Sequence, residues 1–80
     1  MSREIVLKKL EEIFRDIFDD EKIRLDEQTA LVDIENWDSL QNIHVLVAIE
    51  GEFGLRISVE EAASLETIGQ MLDVIIRGEG

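Results

Sequence analysis

The sequence contains no cysteine and no proline, and it has only five glycines. The missing cysteines exclude a disulfide framework, a Cys-type zinc site and a thiol nucleophile supplied by the chain, and they fit a reducing compartment. With so little proline and glycine, no flexible linker divides the chain. Long apolar runs are absent too. None approaches the roughly 18 residues needed to span a bilayer, and Met1-Ser2-Arg3-Glu4 leads directly into a charged amphipathic pattern without a signal-peptide core. The expected location is the cytoplasm, without membrane insertion. Basic residues are scarce: 8 Lys+Arg face 19 Asp+Glu, for a net charge of -11 spread along the chain. Such a field repels phosphate backbones and anionic lipid, so nucleic-acid and membrane-surface readings lose their main source of affinity. Basic protein partners are favoured, and the simplest effect of the charge is to keep a small domain soluble and monomeric. A chain of 80 residues buries only about 60% of its unfolded surface. That suffices for one domain, 1–80, but not for a core plus a deep private cleft, which disfavours an enzyme.

What the chain does have is helical periodicity. Val6, Leu7, Leu10, Ile13, Phe14, Ile17 and Phe18 recur at i, i+3, i+4 and i+7 behind a Ser2 cap, with Arg3, Lys8, Glu11, Glu12 and Arg15 on the opposite side. The spacing predicts a first helix over 2–18. From Asp19 to Asp38 the apolar residues thin to Ile23, Leu25, Leu31 and Ile34, as in a long ordered loop. A second helix is expected from Asp38 or Ser39 to Phe53, stopped by Gly54 in a left-handed C′ position. Ser58-Val59-Glu60-Glu61 and Thr67-Ile68-Gly69-Gln70 are capping boxes. They open a short third helix and a fourth that carries Met71, Leu72, Ile75 and Ile76. The fold class is therefore all-α, a small four-helix bundle of three longer helices and one short one with a long first loop.

The second helix has a surplus apolar face. At about 100° per residue from Ser39, the side chains of Asn42, Val45, Leu46, Ile49 and Phe53 fall within roughly 240–340°, the expected core side. Leu40, Ile43 and Val47 fall at roughly 100°, 40° and 80°, with Gly51 and His44 continuing that strip at roughly 120° and 140°. A helix in so small a bundle has no room to bury both arcs against its own chain, so it is either the central element or reserves one face for another molecule. Ser39 stands at the head of the second strip, where the first helical N–H groups point outward unpaired. A serine there is commonly an N-cap. The same donors and dipole also favour a phosphate esterified to the hydroxyl, and position alone leaves both readings open.

The stretch Asn36-Trp37-Asp38-Ser39-Leu40, followed by a helix and by Ala48-Ile49-Glu50-Gly51-Glu52-Phe53-Gly54, resembles the phosphopantetheine attachment region of acyl carrier proteins, whose signature is Asp-Ser-Leu opening the second helix. The resemblance extends through Leu31-Val32-Asp33-Ile34 before the motif, and through Ile57, Glu60-Glu61 and Thr67-Ile68-Gly69-Gln70 after it. It implies that Ser39 receives 4′-phosphopantetheine from coenzyme A, installed by a phosphopantetheinyl transferase (a holo-ACP synthase) that supplies the magnesium and the base. The prosthetic thiol would then hold acyl groups as thioesters for fatty-acid-like, polyketide or other specialised biosynthesis. The chain would be a stand-alone carrier and a substrate of other enzymes, with no catalytic residue and no metal ligand of its own.

By the same resemblance Asp38 sits beside the attachment point as a contact for basic residues of the transferase, compatible with a capping role. Leu40, Ile43 and Val47 would form the docking strip for acyl-loading and acyl-processing enzymes with basic docking patches. His44 and Glu50 flank it, either as partner contacts or as solvated surface residues. Gln41, His44 and Gly51 stand where acids are common in fatty-acid-type members, and Trp37 where a glycine often precedes the motif, so a different partner set is expected. Trp37 is expected to pack over the loop and the start of the second helix.

Two rival chemistries fail on geometry. Ser39 and His44 are about 140° apart around a helix and about 7.5 Å apart along it, too far for a nucleophile and its base. An EF-hand loop begun at Asp33 needs glycine at Asp38 and an acid at His44. Two alternatives remain: an aminoacyl or peptidyl carrier, which shares fold and serine, and a non-catalytic helical adaptor that never carries a prosthetic group.

Overall fold

The computed structural model describes residues 2–35 and 37–79, Glu79 by its backbone alone. Among the described residues four helices follow in order: α1 Arg3–Phe18, α2 Ser39–Phe53, α3 Val59–Ser64 and α4 Ile68–Glu79, with one 3-10 turn, Leu31–Asp33, in the first connection. Each begins or ends on a group that satisfies its stray backbone atoms. Ser2 Oγ accepts from Ile5 N at 3.3 Å, and Ser58 Oγ accepts from Glu61 N at 3.1 Å. The Thr67 box closes in both directions: Thr67 Oγ1 accepts from Gln70 N at 3.3 Å, and Gln70 Oε1 accepts from Thr67 N at 3.2 Å. Gly54 ends α2 at φ 65, and its N–H reaches Glu50 O. A left-handed residue at this point favours glycine because a Cβ would be strained there.

The core forms where α1, α2 and α4 meet. Val6, Leu10 and Phe14 from α1, Val45 and Ile49 from α2, and Ile68, Met71, Leu72 and Ile75 from α4 are all but fully removed from solvent, joined by Leu25 and Leu31 from the loop. The core side of α2 is narrower than periodicity suggests. Val45 and Ile49 are fully buried, whereas Asn42, Leu46 and Phe53 are only half-buried. Leu46, at roughly 340°, lies about 60° to 100° around the helix from that pair and so falls at the margin of the contact. α3 has no fully buried side chain.

The first loop is held by side chains that the periodicity assigned to a solvated face of α1. Glu11 Oε2 accepts from Leu25 N at 2.8 Å, and Arg15 Nε donates to Ile23 O at 2.8 Å. Arg3 spans Glu27 and Asp73, with Nη1 donating to Asp73 Oδ1 at 2.6 Å. These two hydrogen bonds, Glu27's first, raise the Arg3 pKa, and the hydrogen bond from Arg3 holds the Glu27 carboxyl below its ordinary value. The loop then runs antiparallel to the start of α4: Leu31 N donates to Glu66 O at 2.9 Å, Ile68 N to Thr29 O at 3.0 Å and Gly69 N to Glu27 O at 2.9 Å. A Cβ at position 69 would lie 2.9 Å from Glu27 O, so glycine is what permits this approach. Among the described residues no helix is long and apolar enough to cross a membrane.

Candidate functional site at the start of α2

The site begins with the segment that delivers the chain into α2. Trp37 stacks on Phe14, with ring centroids 5.8 Å apart and planes 3° from parallel, and lies tilted against Phe18 at 6.3 Å. Sequence reasoning placed this ring over the loop and helix start. Its contact with α1 is long-range and leaves no trace in local spacing. The effect is to pin the residue two positions before Ser39 to the core. Asn36, quoted in the motif, lies outside the described residues.

Asp38 then adopts an extended backbone, φ -149 and ψ -178, and caps the helix. Its Oδ1 accepts from Gln41 N at 2.8 Å, and its carbonyl accepts from Asn42 N at 3.0 Å. The capping role therefore belongs to Asp38 and not to Ser39. Ser39 is the first helical residue and is exposed. Its hydroxyl carries no hydrogen bond among the described residues. The first turn of α2 contains no acidic residue, so the positive end of the helix dipole next to that hydroxyl is opposed only by the capping carboxylate. These features fit an esterified phosphate: a free hydroxyl, outward-pointing N–H groups and space around both.

The surplus strip of α2 is on the outside. Leu40, Ile43 and Val47 are 59%, 56% and 61% exposed, while Val45 and Ile49 on the other side are at 0%. The helix is thus apolar on two faces and buries one of them within its own chain. His44 is exposed beside the strip. Glu50 is half-buried, and its Oε2 accepts from Ile57 N at 2.9 Å. It holds the chain as it leaves α2, a role that periodicity does not show because Ile57 lies beyond the end of the helix. A cavity of about 300 Å3 lies between the first loop, α2 and α3, bounded by Leu31, Trp37, Asn42, Ala62, Ala63 and Leu65. Asn42 places it one helical turn from Ser39. No group of His, Asp and Glu side chains among the described residues is arranged to hold a metal ion.

Comparison with known proteins identifies the family. The family model for the phosphopantetheine attachment site matches residues 8–75. An acyl carrier protein of Lactobacillus acidophilus is 28% identical over 80 residues, covering all of both chains. One from Thermosynechococcus vestitus is 31% identical over 75 residues, covering 94% of this chain and 93% of its own. Among solved structures, the solution NMR structure of holo acyl carrier protein from Geobacter metallireducens superposes with a TM-score of 0.83 at 32% identity, over 90% of this chain and 83% of that one. The crystal structure of an acyl carrier protein from Thermotoga maritima gives 0.86 at 26% identity, over 98% and 91%. The chain belongs to the acyl carrier protein family, with 4′-phosphopantetheine as its prosthetic group.

Proposed function

We propose that Ser39 is the residue esterified by 4′-phosphopantetheine and that the chain carries acyl intermediates on that arm between enzymes of a fatty-acid-like, polyketide or other specialised pathway. The observation that carries this reading is the division of labour at the start of α2: Asp38 supplies the cap, and the neighbouring hydroxyl is left exposed at the positive end of the helix. The bound group supplies the thiol, which a cysteine-free chain lacks, and holds cargo as a thioester. The chain itself contributes position. α2 orients the Ser39 hydroxyl, Trp37 anchors the segment behind it, and the Asp38 carboxylate remains exposed for basic residues of the modifying enzyme. In this reading the chain is a substrate and not a catalyst.

Leu40, Ile43 and Val47 form the surface on which partner enzymes land, with His44 at its edge. Glu50 serves this surface indirectly, by fixing the chain beyond it through Ile57. The cavity beside Asn42 is the place for the first part of a sheltered acyl chain. The acidity of the chain, -11 overall, favours acyl cargo over aminoacyl or peptidyl cargo. Intact mass after incubation of the apo chain with coenzyme A and a broad phosphopantetheinyl transferase tests the assignment. The wild type gains one phosphopantetheine and Ser39→Ala gains none. A wild type that gains nothing identifies a helical adaptor instead.

A further inference from the structure

The fold makes no use of the glycine at position 51. Gly51 lies inside α2, is exposed, and a Cβ built on it meets no atom within 4 Å. Its backbone is helical, whereas the positive-φ glycine recorded among the described residues is Gly54. Glycine weakens a helix interior relative to alanine, so the position gives up stability without any gain inside the chain. A remaining physical use for a missing side chain is close approach by another molecule.

Gly51 is on the outward face. It lies one turn beyond Val47 and continues the lane formed by Leu40, Ile43 and Val47, each more than half exposed. The lane is poor in charge for so acidic a chain. No acid occupies the first turn of α2, and the Glu50 carboxylate is turned to the Ile57 N–H. Its complement is an apolar surface without lysine or arginine ranged along the middle of the helix. An enzyme acting on Ser39 reaches this far. A standard footprint of ~800 Å2 per partner is a disc of roughly 16 Å radius. Ser39 and Gly51 are separated by about 18 Å along the axis, so a footprint centred on Ile43 covers both.

Building on the carrier reading, we propose that the phosphopantetheinyl transferase seats an apolar surface along Leu40, Ile43 and Val47 and brings its main chain against α2 at Gly51. The test measures steady-state transfer from coenzyme A to the apo chain for wild type, Gly51→Ala and Gly51→Leu, with the melting temperature of each. Gly51→Ala is expected to melt about 2–6 °C higher. The KM for the apo chain should rise with side-chain size, to about tenfold for leucine, with kcat little changed. If wild type is modified and both variants keep its KM within about twofold, the contact at Gly51 is refuted and the carrier reading stands. If Gly51→Ala melts lower than wild type, the fold does need the glycine and the premise is overturned. A wild type that accepts no phosphopantetheine overturns both readings together.

Discussion

Asp38 and Ser39 are adjacent, polar and exposed, yet Asp38 is the one that caps α2, and three substitutions distinguish that cap from the attachment point proposed at Ser39. Asp38→Ala removes the acceptor of the 2.8 Å bond from Gln41 N. Loss of such a cap costs about 1 kcal/mol, within a range of about 0.5–2. In a domain of this size that lowers the melting temperature by roughly 4–8 °C per kcal/mol. Ser39→Ala removes a hydroxyl with no hydrogen bond among the described residues, so its cost should stay within about 0.5 kcal/mol. Asp38→Asn retains a good cap and removes only the charge at the helix N-terminus, ~0.3–1 kcal/mol, and so falls between the other two. Thermal denaturation by circular dichroism orders the variants as Ser39→Ala, Asp38→Asn and Asp38→Ala, from most to least stable. Phosphopantetheine transfer gives a different order. Ser39→Ala accepts nothing, Asp38→Ala is slowed, and Asp38→Asn reveals whether the carboxylate matters to the transferase beyond capping. Should Ser39→Ala lose as much stability as Asp38→Ala, Ser39 is itself a cap and the reasoning is refuted.

Further expectations follow from burial, close approach and charge. Val47→Glu should leave the melting temperature nearly unchanged and impair transfer or loading, whereas Ile49→Glu should unfold the chain, because an unpaired charge in a packed interior costs several kcal/mol; equal damage at both positions would show that the strip is core. Gly69→Ala sets a methyl 2.9 Å from Glu27 O and should destabilise by about 1–3 kcal/mol in urea titration; a neutral result would mean that the loop does not approach α4 this closely. Glu27→Gln should lower the melting temperature at neutral pH. Because the folded carboxyl lies below its ordinary value of 4.5, the stability it adds is present above that value and is lost as pH falls through the lower, folded one. The two melting curves should therefore converge in acid, and a constant gap between them would remove the Arg3 interaction as its cause.

Much of this architecture was legible because it is written in local terms. Ser2, Gly54, Ser58 and Thr67 each announce a helix boundary through a bond reaching only a few residues along the chain. The two faces of α2 followed from the pitch of a helix, and burial of Val45 and Ile49 beside exposure of Leu40, Ile43 and Val47 matches that division. The rest depends on contacts between distant residues. Nothing in the spacing of α1 shows that Glu11 and Arg15 grip Leu25 and Ile23, because charged residues opposite an apolar stripe look alike whether they meet water or a loop. The same holds for Trp37 on Phe14 and for Glu50 with Ile57. At the site, the motif marked Ser39, but whether it was a cap depended on one hydrogen bond, and that bond goes to Asp38.

The antiparallel seam between residues 27–31 and 66–69 has a consequence for biogenesis. A nascent chain that has emerged only as far as α3 lacks both the second half of the seam and the side chains of Ile68, Met71, Leu72 and Ile75 that close the interior. Such an intermediate would expose Leu10, Phe14 and Ile49, which the α4 side chains otherwise cover, although Trp37 would already have Phe14 and Phe18 to pack on. The packed support beneath α2, and with it the setting proposed for Ser39, is therefore complete only once α4 has been made.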